Sequence, residues 1–171
     1  MVYILGYILG ALGILVNMLI YQQKNGQRLI IFKLISDVIW ALQYLALGAF
    51  SGMAIAVIGI FREIVFYNKH KKWARSKLWL VFFIICSIVS AILTWKSVFS
   101  ILPALASVIS VIGYWKKTPS LSRILAFPIS ISMLTYDIFC YSYMGIVNEV
   151  LALISATVGI IRYRKKSKEE I

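Results

Sequence analysis

The sequence predicts an all-α membrane protein of seven transmembrane helices arranged as two parallel triple-helix bundles joined by a linker helix, and three observations carry that reading. First, seven apolar stretches of near-bilayer length follow one another along 171 residues, of which 61% are hydrophobic. A hydrocarbon core about 30 Å thick takes about 20 apolar residues of helix to cross, and lipid obliges backbone polar groups to bond within the segment. Second, the cations gather in every second gap between these stretches. Third, the first three stretches and the last three read as copies of one unit, and a single extra crossing between them gives both copies the same orientation.

In chain order the spans are Val2–Tyr21, Leu29–Ala49, Gly52–Tyr67, Leu78–Trp95, Val98–Trp115, Leu121–Phe139 and Gly145–Tyr163. Lys24 and Arg28 follow the first span, and Lys69, Lys71, Lys72, Arg75 and Lys77 follow the third. Lys116, Lys117 and Arg123 follow the fifth, and Arg164, Lys165, Lys166 and Lys168 follow the seventh. The alternate gaps, Phe50-Ser51 and Tyr141-Ser142-Tyr143, hold no cation, and Lys96 is the exception. Because Lys and Arg stay on the cytoplasmic side, the expected topology has the amino terminus outside and the carboxyl terminus in the cytoplasm.

The net charge of +12 would suggest nucleic acid in a soluble chain. In this setting cationic loops set the orientation and lie against anionic lipid, so membrane lipids are the expected partner and nucleic acid is not. The first span has no cationic leader and a long apolar run, so it is expected to be retained rather than cleaved. Cys86 and Cys140 fall inside spans with no disulfide or metal spacing, and His70 sits among loop lysines as a solvated residue. No nucleophile with a base, no Gly-rich phosphate loop and no His or Cys cluster is visible. Neither an enzyme, a cofactor nor a metal is expected.

The repeat rests on three matches. Gly10, Gly13, Asn17 and Tyr21 share their spacing with Pro103, Ala106, Ser110 and Tyr114. Tyr44-Leu45-Ala46-Leu47-Gly48 matches Tyr141-Ser142-Tyr143-Met144-Gly145, and Gly59-Ile60-Phe61-Arg62 matches Gly159-Ile160-Ile161-Arg162. The offset grows from 93 to 97 to 100 along these matches, which predicts insertions in the second unit. The expected organisation is a first triple-helix bundle at 1–68, a loop and linker helix at 69–96, a second bundle at 97–163 and a basic tail at 164–171.

This three-one-three plan with an outward amino terminus resembles the SWEET sugar transporters and their PQ-loop relatives. More narrowly, Trp40-x3-Tyr44-x3-Gly48, the Gly-x2-Arg ends at Gly59–Arg62 and Gly159–Arg162, and the chain length resemble the YgjV-type family of bacterial inner membrane proteins. The resemblance implies a bacterial inner membrane carrier whose bundles rock about a central cavity on proline hinges. Pro103 and Pro128 match the hinge pattern in the second unit, whereas the first unit has no proline and offers Gly10 opposite Pro103. Asn148 matches the sugar-site asparagine of the SWEET proteins, and the third span carries no counterpart.

Polar residues within the spans add candidates of their own. Asp37 lies about 12 Å into the second span with Lys33 one turn earlier, at ion-pairing distance on the same face. Either Lys33 snorkels and simply neutralises the acid, or the acid marks a pathway. Asp137 and Glu149 fall near span ends, where solvated interfacial carboxylates are expected. Arg62 and Arg162 are expected to anchor headgroups, with Glu63 pairing locally. Trp73, Trp79, Trp95 and Trp115 read as an interfacial belt, but Trp40 lies deep beside Gln43 and Tyr44, suited to a flat polar ligand or to buried packing. Small-residue stripes on the first, third and seventh spans predict close helix approach; their polar members Asn17 and Asn148, with Ser110, either join helices or face a cavity.

These features together predict a carrier for a small polar solute, a sugar or similar metabolite, working by alternating access. Trp40, Gln43, Tyr44, Tyr136, Tyr141 and Asn148 are expected to face the solute. Asp37 and Lys33, with Gly10, Pro103 and Pro128, are expected to gate or couple it. One chain holds both bundles, so a monomer suffices on this plan. The alternative is a non-transporting membrane protein with a lipid-interaction or assembly role.

Overall fold

The chain is described by a computed structural model covering the backbone of residues 2–169 and the side chains of residues 6–162. Among the described residues the seven α-helices are α1 (Val2–Gln22), α2 (Gly26–Ala46), α3 (Phe50–Tyr67), α4 (Leu78–Leu93), α5 (Ile101–Trp115), α6 (Pro119–Phe139) and α7 (Tyr143–Glu169), with 3₁₀ turns at Trp73–Arg75 and Val98–Ser100. Five segments, α2, α3, Val98–Trp115, α6 and Tyr143–Arg162, are long and apolar enough to cross a membrane; Gly6–Gln22 and α4 are shorter apolar helices. Large apolar side chains point outward along them, among them Ile8, Leu12, Leu15 and Leu19 of α1, as lipid requires. Helix α7 runs on through much of the expected tail, where the side chains of Arg164, Lys165, Lys166 and Lys168 lie outside the described residues.

Local chemistry sets the helix ends. Asn25 caps α2, its side chain accepting from the backbone N–H groups of Gln27 and Arg28, which satisfies donors that a helix start leaves open. Pro119 opens α6 at its first turn, where its missing N–H costs nothing. Helix α2 stops at Ala46 rather than Ala49 because Gly48 takes a left-handed φ of 65° and turns the chain into α3.

The two units keep one register throughout, which corrects the insertions expected from the sequence. Tyr44 and Asp137, 93 residues apart, occupy the same place in α2 and α6. The ends Gln22 and Trp115, the starts Gly26 and Pro119, the ends Ala46 and Phe139, and the starts Phe50 and Tyr143 all differ by that same interval. Backbone bonds follow it too: Ala49 N–H to Tyr44 O and Ser142 N–H to Asp137 O are both 2.9 Å. The similarities at intervals of 97 and 100 are therefore not structural equivalences.

Packing closes a ring in the order α1, α2, α3, α5, α6, α7 and back to α1, with α4 outside it against α3 and α5. One buried cluster, including Tyr21, Phe66, Phe83 and Tyr114, fills the end of the ring that bears the cationic loops. A second, with Trp40, Tyr44, Ala49 and Tyr136, fills the end that bears the tight α2–α3 and α6–α7 turns.

Candidate functional site

Between the two clusters lies a cavity of about 100 Å³ inside the ring. Its lining pairs repeat-equivalent positions: Asn17 with Ser110, Tyr21 with Tyr114, Trp40 with Met133, and Ala56 with Glu149. Typical ligand pockets run from about 300 Å³ upward, so this space suits water or a very small solute. At the turn end, Tyr44 Oη donates to Asp137 Oδ1 at 2.8 Å. At the cationic end, Tyr21 and Tyr114 belong to one buried cluster and both line the cavity. The members of each pair are 93 positions apart, the interval that also separates the helix ends.

Glycine notches seat the polar side chains around this cavity. A Cβ on Gly52 would stand 3.0 Å from the Tyr44 ring, and one on Gly145 would stand 2.5 Å from the Asp137 carboxyl. Gly59 does the same for Asp37. The small-residue stripes thus permit close approach, as expected, and they place the acids and the tyrosine.

On the α2–α3 side the charges are closed into pairs. Lys33 pairs with Asp37 as the sequence predicts. Arg62 is 3% exposed, so it does not anchor headgroups; its Nε and Nη2 reach Glu63 Oε1 at 3.0 and 2.9 Å. The same Nη2 stands 3.7 Å from Asp37 Oδ2, and Nη1 reaches the backbone and hydroxyl oxygens of Ser107 on α5 at 3.5 Å. Two cations thus face two carboxylates, the arrangement in which buried charge is tolerable. Glu63 pairs locally, as expected.

On the α6–α7 side the acids have no such partners. Asp137 is fully buried and Glu149 is 9% exposed, which corrects their expected place at a solvated interface. The neighbouring helices cover both acids, with Tyr44 of α2 and Gly145 of α7 closing over Asp137. Asn17 Nδ2 donates to Asn148 Oδ1, and Asn148 Nδ2 donates to Glu149 Oε1, both at 2.9 Å. Asn17 and Asn148 therefore both join helices and face the cavity.

The expected solute-facing residues separate into two groups. Trp40, Tyr44 and Asn148 line the cavity, with the Trp40 and Tyr44 rings 5.9 Å apart. Tyr136 does not line it; its hydroxyl accepts from Gly52 N–H at 3.2 Å and its ring packs edge-on to Tyr44. Gln43 and Tyr141 do not reach the cavity; they line a separate one of about 280 Å³ at the turn end. Gln43 donates to Ser142 at 3.3 Å, and Tyr141 is 74% exposed.

The expected hinges also divide. Pro128 lies inside α6, where it removes an internal bond. Pro103 falls in the first turn of α5, directly after the 3₁₀ turn Val98–Ser100, where the leading N–H groups of a helix lack partners within it. Gly10 is a contact point, its Cα face against Met144 of α7.

The cationic end carries a set of contacts that the sequence does not announce. Arg123, expected as a loop cation, is 3% exposed within α6 and donates to Tyr21 O and Gln23 O, both at 3.0 Å. Lys69 donates to Trp115 O at 2.7 Å and lies over that ring, and Lys117 donates to Tyr67 O at 3.3 Å. Each spans from one unit to the other and satisfies carbonyls that a helix end leaves open. Burial and the neighbouring Lys117 and Arg75 lower the pKa of Lys69, and burial lowers that of Lys117.

No curated protein and no solved structure matches the chain. A family model described as bacterial inner membrane protein does match, over residues 4–167. With nearly the whole sequence covered, the chain belongs to the YgjV-type family of bacterial inner membrane proteins.

Proposed function

We propose that the chain is a carrier for a small polar solute, a sugar or similar metabolite, in which α1–α3 and α5–α7 rock against each other about the central cavity, closed here to about 100 Å³ and widening to admit the solute as either end opens, while α4 links them. The observation that carries this reading is the cavity's position between two repeat-equivalent pairs, Tyr44 with Asp137 at one end and Tyr21 with Tyr114 at the other. Exchanging the two units maps the α3–α5 seam onto the α7–α1 seam, which supports a three-one-three arrangement of parallel repeats, one of the known carrier plans. The cationic end faces the cytoplasm on this reading, with the amino terminus outside. Opening the turn end breaks the Tyr44–Asp137 bond; opening the cationic end separates Tyr21 from Tyr114 and releases the Arg123, Lys69 and Lys117 contacts. Trp40, Tyr44 and Asn148 meet the solute, and one chain suffices.

Thiol accessibility tests the path. Trp40→Cys, Ser110→Cys and Asn148→Cys are expected to react with a membrane-impermeant thiol reagent from both sides, and the Tyr44→Phe background is expected to raise the rate from the outside. If all three thiols stay inert from both sides, the cavity does not open and the carrier reading falls.

A further inference from the structure

Among the described residues, four charged side chains line the cavity: Lys33, Asp37, Arg62 and Glu149. Lys33, Asp37 and Arg62 are engaged in ion pairs; among the described residues, Glu149 is in none. Asp37, the residue the sequence offers for coupling, stands between two cations. Glu149 is differently placed. The titratable groups around it are Asp137 on α6, Tyr21 on α1, and Lys33 with Tyr44 across the cavity on α2. Its hydrogen bond from Asn148 continues to Asn17, so the carboxyl is tied to the α1–α7 seam, one of two seams at which the units meet.

We propose that Glu149 is the proton-binding site of the carrier, and that its proton sets how firmly α7 is held to α1. This rests on the carrier reading. The proton comes from water admitted to the open cavity and returns to it, with no other bond made or broken. An ionised Glu149 only accepts, and its charge strengthens the bond from Asn148 Nδ2. That bond holds the amide with Oδ1 turned toward Asn17. A protonated Glu149 is a weaker acceptor with an O–H of its own to place, so Asn148 is released to turn and the α1–α7 link loosens. Rocking across that seam and proton occupancy then bias each other.

Infrared difference spectra of the full chain in lipid nanodiscs, between about pH 5 and about pH 8, test the site directly. The expected result is a C=O band of a protonated carboxylic acid that titrates, disappears in Glu149→Gln, returns shifted in Glu149→Asp, and survives in Asp37→Asn and Asp137→Asn. A titrating band that survives Glu149→Gln, or no titrating band, overturns the proposal. Coupling is read from Ser110→Cys reactivity at the two pH values, divided by the same ratio in the Glu149→Gln background, which removes the thiol's own titration. A residual change of about fivefold supports coupling, and none overturns it. A thiol inert at both pH values and from both sides instead sinks the carrier reading, and the infrared band then decides the proton site by itself.

Discussion

The two halves of this molecule share a backbone and differ in charge. From the end of α1 to the start of α3, and from the end of α5 to the start of α7, the helices start, stop and turn at the same interval, yet the paired cluster Lys33, Asp37, Arg62 and Glu63 has Ala126, Ser130, Ser155 and Ala156 at the equivalent positions. Conversely, Asp137 and Glu149 stand where the first half has Tyr44 and Ala56. Ring geometry depends on turn position and small residues at crossings, which both halves preserve. Ionisable groups are under no such constraint, so one half holds closed ion pairs while the other holds open acids. The two halves therefore cannot move as mirror images in energy, even where they do so in shape.

The sharpest way to break that comparison is to open the closed half. Arg62→Ala leaves the Glu63 carboxylate buried without its partner, and losing one member of a buried pair costs about 3–5 kcal/mol. Its equivalent, Ser155, donates one bond to Met18 O at 3.0 Å and accepts one from Gln22, so Ser155→Ala is expected to cost about 1 kcal/mol. Unfolding in mixed detergent micelles measures both, and equal losses would show that the Arg62 cluster carries no special weight.

The turn-end closure is the next largest effect. Gly145→Ala drives a methyl into the Asp137 carboxyl, and Gly52→Ala brings one to 3.0 Å from the Tyr44 ring; overpacking of this kind costs about 1–3 kcal/mol. The carboxyl has less room to retreat, so the Gly145 variant is expected to lose more in the same unfolding measurement. Tyr44→Phe removes a hydrogen bond that satisfies a buried carboxyl and is expected to cost about 1–3 kcal/mol. If Tyr44→Phe and Asp137→Asn together cost the sum of the two single changes, the contact between them is not a coupled one.

Much of this is legible in the sequence. Apolar run length predicts the seven helices, and the Gly10 to Tyr21 and Pro103 to Tyr114 series carries the true interval of 93 from the start. The later matches mislead because Gly and Tyr recur for local reasons: each turn needs a left-handed residue, and each helix crossing needs a small one. Lys33 and Asp37 can be paired from spacing alone, since four residues on one helix fix the distance. Arg62, Arg123, Asp137 and Glu149 cannot be placed, because a charge near a helix end reads as solvated until the neighbouring helices are known to cover it. Gln43 and Tyr141 fail for a related reason: sequence proximity to Trp40 or Asp137 says nothing about which side of the Tyr44–Asp137 contact a side chain occupies.

The smallest expected effect isolates the two turns themselves. Gly48 and Tyr141 are repeat equivalents and both adopt a left-handed backbone, with φ of 65° and 56°. Such a conformation costs an L residue about 1–2 kcal/mol that glycine does not incur, so Tyr141 carries strain that Gly48 avoids. Tyr141 is largely exposed, and Tyr141→Gly gives up little packing. Against the relief stands the extra freedom of glycine in the unfolded chain, about 0.4–1 kcal/mol, leaving a net stabilisation of about 0.5–1 kcal/mol. Gly48→Ala, with nothing within 4 Å of the added methyl, is expected to lose about 1 kcal/mol by backbone strain alone. Opposite signs at equivalent positions would show that the two turns are the same object built from a suitable and an unsuitable residue; a destabilised Tyr141→Gly would mean that the tyrosine ring does something at the membrane surface worth more than the strain it causes.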